Sequence, residues 1–303
     1  MKLFWALPVM ILLLASTACA QSHSSTPPMS TTPVPTATIL ASPSPSPSPT
    51  ASQTPTNTST PTPRPPRIFV FYGDSTLAIG KAGDGKRHGG YSFINNLKTM
   101  MPPDVTLITA NYGGRSARWA ALKIEEKVLV HNPDVVTLWW GINDLLGCPG
   151  IFDRETNRIR QDQVERLVNE HITALKHQID ILLAHNLPVF VMTTLPVWNG
   201  YLPWSHLDEN YNVIWESGRW CPFNQGLSQL VQAQRDLVAT YQATQEAVYL
   251  VDIWELYMQH KDEDGLYMDV LHPGPYGVQL IAEEWLKVYL STQRRSSHAP
   301  DSP

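Results

Sequence analysis

Five short apolar runs, each followed by a helical pattern, constrain this chain more than any other feature. They occupy residues 68–72, 105–109, 135–140, 189–193 and 248–252. Each is continuous and rich in β-branched and aromatic residues, as strands buried on both faces must be. The clearest helical pattern runs over 163–185, with Val164, Leu167, Val168, Ile172, Leu175 and Ile179 on one face. Asp162 stands where an N-cap belongs, and Leu187-Pro188 ends the helix and opens the next strand. Weaker helices fit 91–101, 116–130, 227–243 and 275–290. Strand alternating with helix five times predicts a parallel sheet covered on both faces, and right-handed crossovers leave few topologies for it. Ligands of such sheets bind beyond the carboxyl ends of the strands, so residues with chemical capability should gather there.

They do. Gly73-Asp74-Ser75 follows the first strand, Asn111-Tyr112-Gly113-Gly114 the second, and Gly141-Ile142-Asn143-Asp144 the third. Asp269-Val270-Leu271-His272 follows the fifth, near the start of the last helix. Each piece alone reads as an ordinary turn or cap. Together they supply a nucleophile, a base with its orienting acid, and neutral hydrogen-bond donors, the inventory for acyl transfer. Asp74 and Asp144 read as structural, capping a helix or bracing a loop, and Asp269 suits a cap at the start of the last helix as well as its chemical role.

These blocks resemble those of the SGNH (GDSL-type) hydrolase superfamily: Gly73-Asp74-Ser75, Gly113 in Asn111-x-Gly, Gly141-x-Asn143-Asp144 and Asp269-x-x-His272. The likeness spans roughly 68–290, with Thr76 where the first block usually has Leu. Gly113 is taken over Gly114 by its spacing from Asn111. The resemblance implies a three-layer α/β/α, flavodoxin-like fold with a five-stranded parallel sheet. It also implies a serine esterase without cofactor or metal. Ser75 would be the nucleophile, His272 the base and Asp269 its orienting acid. Ser75 and Gly113 backbone N–H groups and the Asn143 amide would form the oxyanion hole.

The first 20 residues carry Lys2, an apolar stretch and then small residues, the order of an export signal too short to span a bilayer. Ala18-Cys19-Ala20 fits a cleavage site, and Ser16-Thr17-Ala18-Cys19 resembles a lipobox in which Cys19 is lipidated. Residues 21–66 are nearly all Ser, Thr, Pro and Ala, the composition of an extended, disordered spacer. A spacer is useful when one end is fixed, which favours Cys19 as a membrane anchor on the outer cell face over free secretion. The folded domain is expected over 67–291 and a disordered tail over 292–303.

Net charge is −5 with no long basic run, which excludes the usual nucleic-acid footprint. Lys81-Ala82-Gly83-Asp84-Gly85-Lys86 has no strand before it and does not make a phosphate loop. Cys148 and Cys221 lack zinc-site spacing, and export favours a disulfide between them over two buried thiols. His88, His131, His171, His177, His185, His206, His260 and His298 show no metal-ligand spacing and read as surface or core residues.

Residues 197–223 form a long aromatic connection leaving the mouth of the sheet. Trp198, Trp204 and Trp215 are its expected substrate contacts, and a Cys148–Cys221 bridge would pin it over the site. Export and polar aromatic character favour deacetylation of carbohydrate or cleavage of short-chain esters. Lipid acyl hydrolysis and sugar O-acyl transfer use the same triad, and a non-catalytic surface glycan-binding module would retain the fold alone.

Overall fold

The computed structural model describes residues 66–77, 92–207 and 213–296. The chain divides after Thr60, and everything described belongs to the second unit. The leader, Cys19, all but the last residue of the spacer, His88 and His298 lie outside the described residues.

The elements follow the expected alternation, with a hairpin inserted after the fourth sheet strand: β1 (Arg67–Gly73), α1 (Phe93–Met100), β2 (Val105–Asn111), α2 (Ala117–Ala121), α3 (Ile124–Lys127), β3 (Val135–Trp139), α4 (Gly147–Ile151), α5 (Gln161–Ala184), β4 (Val189–Met192), β5 (Leu202–Leu207), β6 (Val213–Cys221), α6 (Asn224–Ala243), β7 (Val248–Val251), α7 (Ile253–Gln259) and α8 (Pro275–Ser296). Strands β2-β1-β3-β4-β7 form one sheet in that order, every pair parallel. This is the three-layer α/β/α arrangement.

Alternation along the strands decides which helix covers which face. On β1, Phe69 and Phe71 join Phe93 and Leu97 of α1, Tyr257 of α7 and Ile281 and Trp285 of α8. Val70 and Tyr72 point the other way, with Ala120 of α2, Ile124 of α3, Leu175 and Ile179 of α5 and Val238 of α6. Trp285 is fully buried among Phe69, Phe71 and Phe190, and its indole N–H donates to Thr137 Oγ1 at 3.0 Å. A buried indole needs such an acceptor, and Thr in the middle of β3 supplies it.

Several expected boundaries moved. Helix α5 begins at Gln161 with Arg160 in the cap position, so Asp162 sits in the first turn, not at the cap. Helix α8 runs to Ser296, beyond the expected domain end at 291. The single helix expected over 116–130 is broken into α2, α3 and a short 3-10 turn, Leu129–His131. Its carbonyls have other partners: Ala117 O accepts from Gln178 Nε2 at 3.1 Å and Ala120 O from Tyr72 Oη at 3.0 Å. Lys123 N then bonds back to Ala120 O, three residues away, and tightens the end of the turn.

Candidate active site

In the sheet, the chain steps from β1 outward to β2 and then returns to the other side of β1 as β3. The carboxyl ends of β1 and β3 therefore flank the point where strand order reverses, the usual crevice of an open parallel sheet.

Gly73 closes β1 in a place where a side chain has no room. A Cβ there would lie 2.7 Å from the Trp139 carbonyl oxygen, so only glycine lets β1 run this close to β3 at its end. The Asp74 and Leu77 N–H groups then close a turn, donating to Trp139 O at 3.3 Å and Asp74 O at 3.2 Å. Ser75 is left half-buried at the rim. Tyr112 N donates to Gly73 O at 2.9 Å, which carries the end of β2 alongside. Gly113 consequently faces Ser75: a Cβ on it would come within 3.6 Å of Ser75 Cβ, whereas one on Gly114 would meet nothing within 4 Å. Gly114 instead supplies the left-handed turn, with φ of 71°.

After β3, Gly141 adopts φ of 153°, and a Cβ would strike Thr194 Cβ at 2.8 Å. Asn143 follows, half-buried, its amide donating to Asp74 Oδ2 at 3.0 Å. Asp74 is 1 % exposed and also accepts from Thr76 N at 2.9 Å and Thr76 Oγ1 at 2.7 Å. Burial pushes its carboxyl up from 3.8 to about 6, against those hydrogen bonds and with help from the nearby Asp144 charge. Asp74 thus braces the block that carries Asn143, a link between two loops that neither motif announces in the sequence.

Asp144 is likewise structural. It accepts from Ala117 N at 3.0 and 3.2 Å, fixing the start of α2, and lies 3.1 Å from His171 Nδ1. Gln234 donates one amide hydrogen to Trp140 O and faces His171 Nε2 at 3.0 Å, while its Oε1 accepts from Thr194 N. An amide donor at Nε2 makes Nδ1 the protonated nitrogen, which lies near Asp144 without hydrogen-bonding geometry. His171, Gln178 and Gln234 are buried polar groups on helices α5 and α6, and their isolated positions gave no signal of this brace.

The opposing wall is the loop between α7 and α8. A bridge between Tyr267 and Pro273 and the bond from Met268 N to His272 O at 2.9 Å close it into a compact turn. Asp269 Oδ1 accepts from the backbone N–H of Leu271 and of His272, both at 2.8 Å. This holds the loop itself; α8 starts only at Pro275, so Asp269 is not that helix's cap. Its Oδ2 lies 2.8 Å from His272 Nδ1, and His272 Nε2 lies 3.1 Å from Ser75 Oγ. Partial burial would raise the Asp269 carboxyl, but the His272 hydrogen bond and charge and the Leu271 N–H outweigh it, lowering the group from 3.8 to about 2. A carboxylate at Nδ1 leaves the Nε2 lone pair free to accept the serine proton.

The 197–223 connection is not an irregular loop. A short turn at Trp198–Gly200 leads into an antiparallel hairpin, β5 and β6, whose base is tied to α4 by a Cys148–Cys221 disulfide. Leu202 and Trp204 alternate inward, 4 % and 2 % exposed, the period-two signal that marks β5 in the sequence. Trp204 is therefore a packing residue, and the Arg219 guanidinium sits 4.7 Å from its ring centroid. Trp215 lies on β6 opposite Ser205, and Trp198 is 47 % exposed. Trp198 N donates to Val270 O at 3.0 Å, joining this segment to the loop of Asp269 and His272.

Among the described residues, no group of three or more His, Cys, Asp or Glu side chains is placed to hold a metal ion, and no helix is long and apolar enough to cross a membrane.

Comparison with solved structures returns the same fold. A catalytic mutant of an acetylxylan esterase from Geobacillus stearothermophilus superposes with a TM-score of 0.53 at 16% identity, covering 74% of this chain and 94% of that one. A candidate GDSL-like lipase from Parabacteroides merdae gives 0.52 at 16% identity, covering 74% and 96%. A search of curated proteins found no match to this chain. The family model described as GDSL-like Lipase/Acylhydrolase matches residues 69–285, which takes in every block from Gly73 to His272. The chain belongs to that family and is a carboxylic ester hydrolase of the SGNH type.

Proposed function

We propose that this protein is an acyl-enzyme serine esterase that removes short acyl groups, acetyl foremost, from carbohydrate outside the cytoplasm. The observation that carries the reading is the unbroken line from Asp269 Oδ2 through the His272 ring to Ser75 Oγ, at 2.8 and 3.1 Å. These are hydrogen-bonding separations for a nucleophile, base and orienter.

In the proposed reaction Ser75 Oγ attacks the ester carbonyl carbon as its proton passes to His272 Nε2. The imidazolium is stabilised by Asp269, which stays ionised. The carbonyl oxygen becomes an oxyanion received by the Ser75 and Gly113 N–H groups and the Asn143 amide. Collapse breaks the bond to the alcohol oxygen, which leaves with the proton from His272. Water then attacks the acyl-serine, again giving its proton to His272, and the carboxylic acid departs as Ser75 recovers its proton.

Three observations support the substrate and location. An acetylxylan esterase shares the fold. A disulfide braces the hairpin beside the site, which suits an oxidising compartment. The leader and the spacer suit export, with Cys19 as the lipidated anchor. The direct test compares wild type and Ser75→Ala on p-nitrophenyl acetate and on acetylated xylan. Serine-dependent acetate release from both is expected. A folded wild type inactive on these and on longer-chain esters would refute the esterase mechanism.

A further inference from the structure

Three aromatic rings stand out of the surface beside the loop that carries Asp269 and His272. Trp198 is 47 %, Tyr201 50 % and Trp220 46 % exposed, and no other Trp, Tyr or Phe whose side chain is described is comparably open. With Asn199 they line one pocket of about 320 Å³. Isolated exposed aromatics need no explanation, but a contiguous patch held in shape does.

This patch is held from every side. Asn224 clamps the backbone of Val197, accepting from its N–H at 2.9 Å and donating to its carbonyl at 3.3 Å. Tyr267 Oη donates to Pro196 O at 2.7 Å. Asn199 and Gly200 both adopt left-handed backbone, φ of 53° and 79°, and turn the chain tightly between Trp198 and Tyr201. Trp220 is fixed by its neighbour Cys221, which is bonded to Cys148 and paired with Leu202. The bond from Trp198 N to Val270 O sets the patch at a constant offset from His272, two residues further along.

We infer that Trp198, Tyr201 and Trp220 form a stacking subsite for a sugar ring of an acetylated oligosaccharide, adjoining the acyl site. The inference rests on the esterase reading above and deepens it. A pyranose ring has a face of C–H bonds and an edge of hydroxyls. The planar indole and phenol faces match the first and leave the hydroxyl edge to solvent. A membrane surface is a poorer fit: the pocket lining includes no aliphatic side chain and no cation, and the chain carries a net charge of −5. The subsite makes the enzyme selective for chains longer than the acetylated sugar alone, because binding energy from the neighbouring unit adds to kcat/KM.

The test uses the full chain, with Trp220→Ala and Tyr201→Ala as variants and Trp220→Phe as a conservative control. Acetylated xylo-, manno- and cello-oligosaccharides are compared with p-nitrophenyl acetate. For the best oligosaccharide, each alanine variant should lower the ratio of its kcat/KM to that on p-nitrophenyl acetate by about ten-fold, mainly through KM, with Trp220→Phe largely restoring it. Separately, Ser75→Ala protein should bind the deacetylated form of that oligosaccharide in calorimetry, and Ser75→Ala/Trp220→Ala should not. A ratio within about two-fold of wild type in both alanine variants on all three sugars overturns the subsite. So does loss of binding to phosphatidylcholine vesicles with unchanged oligosaccharide ratios, which would assign the patch to lipid. Failure of serine-dependent p-nitrophenyl acetate hydrolysis would refute the esterase reading alone, since the binding arm judges the subsite by itself.

Discussion

Replacing Asp74 by Asn tests the buried carboxylate behind the nucleophile in a way that a loss of activity alone does not. Asp74 is 1 % exposed, and its pKa is raised in the fold from 3.8 to about 6, chiefly by burial. Because the folded value exceeds the unfolded one, the folded state holds this proton more tightly. Its stabilising contribution is fully present below pH 3.8 and is lost as pH rises to about 6. The whole loss is 2.303RT times the shift, about 3 kcal/mol, and about 2 kcal/mol of it falls between pH 4.5 and 7.5. Asn cannot ionise, so the variant lacks this slope. Its amide oxygen can still accept from Thr76, but its new N–H group faces the Asn143 amide, and one of the two must turn over. The variant is therefore expected to gain about 2 kcal/mol on wild type between pH 4.5 and 7.5 in urea unfolding, while kcat falls. Titrating groups not coupled to Asp74 are common to both proteins and cancel in the comparison. A difference that stays flat within about 0.5 kcal/mol across that range would refute the buried, late-ionising carboxylate.

The remaining predictions concern the proposed chemistry and its frame. Asn143→Ala should lower kcat by about 100-fold or more on p-nitrophenyl acetate; unchanged turnover would remove Asn143 from the oxyanion hole. Asp269→Asn should cost about 1,000-fold or more, since an amide N–H at Nδ1 forces the Nε2–H tautomer toward Ser75; a loss under ten-fold in steady-state kinetics would count against the orienting role. Reducing the Cys148–Cys221 bridge, which spans 73 residues, or replacing both by Ser, should destabilise the protein by about 4 kcal/mol. Calorimetry with and without reductant checks this, and an equal Tm in both would show that the bridge carries no stability.

The central sheet was legible in the sequence because its inner strands β1, β3 and β4 are buried on both faces and so read as unbroken apolar runs. Its site was legible for a related reason: residues that close such strands must be small or turn-forming, and Gly73 and Gly141 mark those places. What stayed hidden depends on contacts distant in sequence. The segment 116–130 is a good helix former by composition, but it is broken where Gln178 and Tyr72, distant in sequence, bond to its carbonyls. Asp74 and Asn143 come from different strands, and their bond is a product of the strand order. The 197–223 hairpin was missed because Pro203 and Gly218 interrupt its strands, although Leu202 and Trp204 carry the alternation. That miss left Tyr201 and Trp220 unassigned.

The loop of Asp269 and His272 has a temporal consequence. Acid and base are set against each other by bonds within a few residues, so their mutual alignment is a local property. The contact from His272 to Ser75 closes across 197 residues, and it closes from the far end of the chain. During synthesis Ser75, Gly113 and Asn143 emerge long before the base, whose loop is then tied to the segment after β4 by Tyr267 Oη on Pro196 O and Trp198 N on Val270 O. On the proposed mechanism, turnover therefore reports near-completion: a chain truncated before Asp269 carries its nucleophile unarmed.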